Sequence, residues 1–412
     1  MDMARVAVIA TLDTKGGEAE FLRSCLEELG HEALILDTGL LGPPRIAPDI
    51  SRHEILKLAG VEDLEVLRPS GKTALMDAMT RGLRVMVVKL QSEGKIQGVL
   101  SLGGGQGTAV LAAAMQALPI GFPKVIVSTI ACGTARFGDY VGDRDIVMIP
   151  SIADICGLNG ITVPIFVSAC GAVAGMIEAG RLADWKPSGR RVALTMAGVT
   201  TRCVMRVKEI LDEKGYEVIV CHCNVVGAQV IDEYAGAGRL DGVIDITPHD
   251  VGGMLFGGLM SCRPDRFANI YASGIPVLTV PGAVDFILKG PAGEVDEELL
   301  SRPHYRHTPF HTHIRTTREE MYRVGAYLAE RHNGCKGRNA ILVPEKGYSQ
   351  QNAVGGLIYD PDANRGFVQG VLEHKADSVE FRQRELHIND PEFADEIVAV
   401  FERLMETGKG SG

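Results

Sequence analysis

Residues 99–115 read VLSLGGGQGTAVLAAAM, which sets Gly103, Gly104, Gly105 and Gly107 between a short apolar run and an Ala-rich one. Without a Cβ, such a run reaches positive φ freely and lets an anion come close to bare amides. A helix beginning there adds unpaired N–H groups and the positive end of its dipole, and Thr108 adds a hydroxyl. The chemistry that fits is phosphate binding. The plain alternative is that a tight strand-to-helix turn needs glycine anyway, and the stretch does not match the G-x-G-x-x-G spacing of dinucleotide sites. TLDTKGGE (11–18) is a second turn of the same kind, with Asp13, Thr14 and Lys15. There Lys15 could reach a phosphate and Asp13 could hold Mg²⁺ directly or through water. Otherwise Asp13 or Thr14 is a helix N-cap and Lys15 a solvated first-turn residue. STIACGTARFGDY (128–140) is a third such turn and offers Thr129 and Gly133. PSGKT (69–73) imitates the tail of a Walker A motif, but Val66 stands where its first glycine is required, so Lys72 and Thr73 read as the start of a helix.

A second group of candidates lies further on. His222, His249, Asp285, His307 and Arg315 fall at strand ends or in a long segment, 287–316. Histidine serves as acid or base near neutral pH, and an arginine forks onto a carboxylate or phosphate. His304, His307, His311 and His313 crowd together, which admits a metal site or solvated loop histidines, although the spacing fits no zinc pattern. Cys221 and Cys223 flank His222 and read as packed side chains or, less simply, as a thiolate pair. Cys132 is the better candidate for a reactive thiol, because a helix start lowers a thiol pKa.

The elements that must position these residues alternate. RVAVIAT (5–11), ALILDTG (33–39), GVLSL (98–102), KVIVST (124–129) and DIVMIP (145–150) read as strands separated by helical patterns, which predicts a parallel sheet covered on both faces. At DWKPSGRR (184–191) the composition shifts, and the same grammar restarts with RVALTMAG, EVIVCH, GVIDIT, IPVLTVPG and AILVPEKG. The two openings, VAVIATLDTKGGE and VALTMAGVTTRC, share a pattern of strand, Thr-containing turn and helix. The expectation is two related Rossmann-like α/β domains, each a mostly parallel sheet with helices on both faces. The first spans 1–184, a linker spans 185–190, and the second spans 191–412 with a long His-rich loop at 287–316.

Composition narrows the class. The 412 residues carry a net charge of −10 and no long Lys/Arg block, which argues against a nucleic-acid surface. Nine cysteines without a CxxC pair point to a reducing, cytoplasmic compartment. The uncharged run 161–177 contains Pro164 and small-residue pairs and reads as a buried helix instead of a membrane span.

TLDTKGGE, LGGGQGT and VGDRDIVMIPSIADICGLN (141–159), followed by TMAGVTTRCV, DGVIDIT, PDRF, GIPVLTVPGAVDF, HTPFHTHIRTT and HINDPEF, together resemble the ATP-binding domain family of plant tobamovirus-resistance proteins and their bacterial relatives. The resemblance covers nearly the whole chain. It implies an N-terminal domain that binds ATP with Mg²⁺ and a chain that dimerises. Carried over position by position, the nucleotide candidates are Asp13, Thr14, Lys15, Gly103, Gly104, Gly105, Gly107, Thr108, Thr129 and Gly133, with Asp13 on the metal. In the second half, residues 222–229 and 247–253 depart from the family's Gly/Thr-rich pattern. Three functions fit: an ATP-dependent enzyme acting on a small anionic metabolite in an interdomain cleft, a non-catalytic nucleotide-gated regulatory protein, and an ATP-independent lyase or hydrolase using the C-terminal histidines.

Overall fold

Runs of Val, Ile and Leu make strands that are apolar on both sides, which is what a sheet covered by helices on both faces requires. The computed structural model describes residues 3–132, 138–180, 182, 186 and 189–406. The chain divides into two compact units, Met1–Trp185 and Lys186–Gly412. In the first, β1 (Arg5–Ala10), β2 (Glu32–Asp37), β3 (Gly98–Gly103), β4 (Lys124–Ser128) and β5 (Val147–Pro150) lie in the order β2-β1-β3-β4-β5, all pairs parallel. Helices Gly71–Ser92 and Gly105–Met115 pack into the core on one face. Helices Leu12–Glu28 and Thr162–Gly180 fill the other.

Thr162–Gly180 is long and apolar enough to cross a membrane by length and composition. Its Phe166, Cys170, Val173 and Ile177 are nevertheless buried with Leu100, Leu102 and Val125 of the sheet, and each large apolar side chain so buried contributes roughly 1.5–3 kcal/mol. Burial also pushes the Cys170 thiol up to about 12, so it packs as an apolar group.

The second unit repeats the plan. Its strands are β6 (Arg191–Met196), β7 (Glu217–His222), β8 (Gly242–Asp245), β9 (Val277–Thr279), β10 (Phe286–Lys289), β11 (His304–Thr308), β12 (His311–Arg315), β13 (Asn339–Pro344) and β14 (Glu380–Arg384). Six of them form a parallel sheet in the order β14-β13-β9-β8-β6-β7. Its first three strands therefore cross as they do in the first unit, with the second strand on one side of the first and the third on the other.

The segment expected as a long irregular loop, 287–316, instead carries antiparallel strands in the order β10-β12-β11, with a short helix, Glu297–Leu300, between the first two in sequence. The pairing sets Phe286 opposite Arg315 and Tyr305 opposite His313. Strands built of His, Thr and Arg lack the apolar alternation on which strand recognition depends.

The second unit also holds a buried ionic knot. Arg266 donates to both Asp245 oxygens at 2.7 and 3.1 Å and to both Asp250 oxygens at 2.9 and 3.0 Å, and Thr195 donates to Asp245 at 2.7 Å. Burial alone would pull the guanidinium down, but the two carboxylates hold it well above its ordinary value. Asp245 ends β8 and Asp250 sits in helix His249–Phe256, so the knot fixes the turn that carries His249.

Candidate functional site

In an open parallel sheet, ligands collect at the carboxyl ends of the strands where successive connections leave in opposite directions. In the first unit that point lies between β1 and β3, and a crevice of about 330 Å³ opens there. Its polar end is formed by Thr11, Asp13 and Thr14 after β1 and by Gln106 and Gly107 after β3. Leu40, Leu41, Leu75, Met76, Met79 and Val110 make an apolar wall, and Arg68 and Lys72 stand at the rim.

Two of the glycine turns are built differently from the sequence expectation. None of Gly103, Gly104, Gly105 and Gly107 has a positive φ. At Gly103 the reason for glycine is packing, since a Cβ would lie 3.0 Å from the Thr108 nitrogen and 3.1 Å from Leu111. Gly107 faces open space, with nothing within 4 Å of a Cβ, and Gly104 and Gly105 meet nothing closer than 3.7 Å. The first backbone bond of helix Gly105–Met115 runs from Thr108 N–H to Gly104 O at 2.8 Å, leaving the amides of Gly105, Gln106 and Gly107 as the free N-terminal donors. The Thr108 hydroxyl is turned inward, against Gly104 O and Ser128 Oγ at 2.8 and 2.7 Å.

The turn after β1 offers side chains, not amides. Asp37 accepts from Leu12 N–H at 3.1 Å and so occupies the start of helix Leu12–Glu28. Lys15 Nζ donates to the Ile155 carbonyl at 3.0 Å, and Lys15 does not line the crevice. Asp13 accepts from Leu41 and Gly42 N–H on Oδ2, at 2.8 and 3.2 Å. It leaves Oδ1 without a partner among the described residues, and the Thr14 hydroxyl stays exposed. Thr129 sits behind the crevice, its N–H on Gly103 O at 3.2 Å. Gly133 lies outside the described residues. The sequence reading missed Lys72: it is the start of a helix, as expected, but that helix forms the crevice wall, and Lys72 has no side-chain partner among the described residues.

Residues 4–181 match the model described as the Uncharacterised protein family (UPF0261) N-terminal domain, and residues 189–405 match its C-terminal domain. The chain belongs to the UPF0261 family. A UPF0261 protein of Clostridium tetani is 34% identical over 403 residues, covering 98% of this chain and 99% of the relative. The ToMV susceptible protein tm-1(GCR26) of Solanum lycopersicum is 34% identical over 424 residues, which is 96% of this chain and 55% of the tomato protein. These relatives agree with the resemblance carried by TLDTKGGE and LGGGQGT. Among solved structures, UDP-GlcNAc 2-epimerase from Neisseria meningitidis covers 98% of this chain and 92% of its own, at 10% identity and a TM-score of 0.22, too low to bear on the ligand.

The second unit of this UPF0261 chain has its own crevice at the corresponding point, between β6 and β8. A cavity of about 180 Å³ is bounded by Ala197, Gly198 and Val199 after β6, by His222 at the end of β7 and His249 after β8, and by Phe286, His307, His311 and His313 of the antiparallel sheet. Three of the expected residues, His222, His249 and His307, are thus brought together. Asp285 and Arg315 are not. Asp285 is fully buried and accepts from Ser349 Oγ at 2.6 Å. Arg315 does not fork onto a carboxylate or phosphate; it donates to the Asp285 and Asp360 carbonyls at 2.8 and 3.0 Å and to Asn364 Oδ1 at 2.7 Å. Its role is to pin β12 to helix Pro361–His374.

Rings stack along one wall. Phe286 lies 4.5 Å from His249 and 4.0 Å from His313, and His313 lies 4.6 Å from His307. Among the described residues no three His, Cys, Asp or Glu side chains converge to hold a metal. His249 Nδ1 is 2.6 Å from the Ala283 carbonyl, which can only accept, so Nδ1 carries the proton and Nε2 is bare. Burial pulls the His249 pKa below its ordinary value, and Ala283 and Asp285 oppose that only in part. Burial, with His307 adding to it, brings His313 to about 3, and burial brings the enclosed His332 to about 4.

These histidines have a consequence for acid stability. An unfolded histidine titrates near ~6.5, so below that pH the unfolded chain binds more protons than the folded one. Stability present above pH ~6.5 is therefore lost as pH falls toward the folded values, at about 1.4 kcal/mol per pH unit for each such histidine. Urea midpoints for the second unit should fall steadily from about pH 6 to pH 4. His332→Gln, which retains a polar group beside Asn339 and Thr279, should make that decline shallower; an unchanged slope would contradict the assignment.

Proposed function

We propose that the first unit binds ATP with Mg²⁺ in the β1/β3 crevice. The observation that carries the reading is the crevice itself. Its 330 Å³ falls at the lower end of the ~300–1,000 Å³ typical of small-molecule sites, and it joins an apolar slot to free helix amides and two cations. The purine would lie against Leu75, Met79 and Val110. The phosphates would meet the amides of Gly105, Gln106 and Gly107, where Gly107 leaves room for them, with Lys72 and Arg68 offsetting their charge. Mg²⁺ usually takes only one or two carboxylates beside phosphates and water, and the uncommitted Oδ1 of Asp13 suits that need. When bound, the ion would neutralise phosphate charge; Asp13 would orient it while its other oxygen holds the 41–42 turn. The family resemblance supports ATP over other anions. The nine free cysteines suit the reducing cytoplasm expected from the sequence.

Ligand that binds only the folded state raises its stability by RT ln(1 + [L]/Kd), about 2.7 kcal/mol at one hundred times Kd. Millimolar ATP with Mg²⁺ should therefore raise the melting temperature of the first unit, and EDTA should reduce the rise. Lys72→Ala should weaken binding by about tenfold, the equivalent of one charge-assisted contact. No shift with ATP in the unaltered chain would end this reading.

A further inference from the structure

We infer that the second unit holds a site of its own for a small hydroxylated anion, whose hydroxyl donates to His249 Nε2 while its charged end rests on the Gly198–Arg202 turn. Four observations lead there.

His249 is 2% exposed and lines the cavity, and its Nε2 has no hydrogen-bond partner. A buried polar atom without a partner is costly, so this position favours a ligand that pairs with it. The Ala283 carbonyl fixes the proton on Nδ1, so the group that pairs with Nε2 must be a donor. Ala283 itself sits at φ +56°, a conformation that non-glycine residues rarely hold, and this bend aims its carbonyl at His249.

No Lys, Arg, Asp or Glu lines this cavity, so the part of the ligand inside it is uncharged. Its 180 Å³ is small beside the ~300 Å³ at which drug-sized pockets begin, which limits that part to a few carbons with their hydroxyls.

The charge belongs next door. A second cavity, of about 240 Å³, shares Gly198 and Val199 with the first and is lined by Arg202. Arg202 is exposed and has no side-chain partner among the described residues. It stands in the first turn of the 13-residue helix Thr201–Glu213, whose dipole favours an anion, while the Thr201 and Cys203 amides are already bonded to Gly198 O and Asn389 Oδ1. Asp390, the acid in the same lining, is committed to the His387 amide at 2.7 Å.

Finally, both cavities meet at the turn after β6, where the strand order reverses, as at the crevice of the first unit. This inference does not rest on nucleotide binding there.

The test uses the full chain without nucleotide and four probes: glycerate, glycerol 3-phosphate, glycerol and inorganic phosphate. Calorimetry should show at least one of the two hydroxylated anions binding about tenfold or more tightly than glycerol or phosphate. In ¹⁵N-imidazole NMR spectra the bare Nε2 signal of His249, assigned by its loss in His249→Phe, should move when that anion binds. Arg202→Ala, a surface change that leaves the fold intact, should weaken the anion by about tenfold and leave glycerol unaffected. Lys72→Ala should change none of this, which separates the result from any failure of the ATP reading. The inference is overturned if neither hydroxylated anion binds, if phosphate binds as tightly as glycerol 3-phosphate, or if Arg202→Ala binds as the parent does with the His249 signal unmoved.

Discussion

Replacing Arg266 with leucine is expected to unfold the second unit at temperatures where the parent chain stays folded. Asp245 and Asp250 are both fully buried, and Arg266 is the cation that both contact. Removing one partner of a buried ionic group strands the others without water, at a cost of about 3–5 kcal/mol. For a unit of this size each kcal/mol moves the melting temperature by about 2–4 °C, so calorimetry should show a fall of about 6–20 °C. The partners make the reasoning testable in the other direction. Asp245→Asn with Asp250→Asn, added to Arg266→Leu, removes the uncompensated charges and should restore much of the loss. A triple variant no better than the single one would mean that the cost came from packing of the Arg266 side chain, not from buried charge. Because Asp250 follows His249, the single variant should also disturb the histidine cavity.

The second large effect concerns the crevice of the first unit. Gly107→Val should abolish ATP binding while leaving the chain folded. A Cβ at Gly107 meets nothing within 4 Å, so valine fits the protein without ligand, and replacing glycine inside a helix carries no propensity cost. The same side chain would stand where phosphate must approach the amides of Gly105–Gly107. Binding should weaken by about a hundredfold or more, equivalent to losing several charge-assisted hydrogen bonds, with the melting temperature in the absence of nucleotide changed little. Gly103→Val is the contrasting change: it crowds the Thr108 nitrogen and Leu111, so it should destabilise the unit instead.

The strands of both parallel sheets except β14 are legible in the sequence, because burial on two faces leaves unbroken runs such as VAVIA and AILVP; the edge strand β14, EFRQR, is too polar to be read. The glycine turn after β3 is equally legible in position, but its detail is not. Gly103 is required by a neighbour, Leu111, that only the fold brings near, and the Thr108 hydroxyl finds Ser128 across the sheet. Lys15 is held by the Ile155 carbonyl and one oxygen of Asp13 by the 41–42 turn, contacts that depend on long-range placement. Lys72 does not stand out because its local motif fails, although its helix lines the crevice. In the second unit the histidines could be named but not grouped. The strands that carry His307 and His313 are too polar to announce themselves, and Arg315 and Asp285 serve the frame of the site. Arg266, within PDRF, gave no sign that it neutralises two buried carboxylates.

The most direct test of the central claim is a crystal structure of the chain grown with a non-hydrolysable ATP analogue and Mg²⁺. The account predicts phosphate oxygens within hydrogen-bond distance of the amides of Gly105, Gln106 and Gly107, the base against Leu75 and Met79, and the ion beside Asp13 Oδ1. Analogue bound elsewhere, or a crevice that excludes it at saturating concentration, would contradict the account.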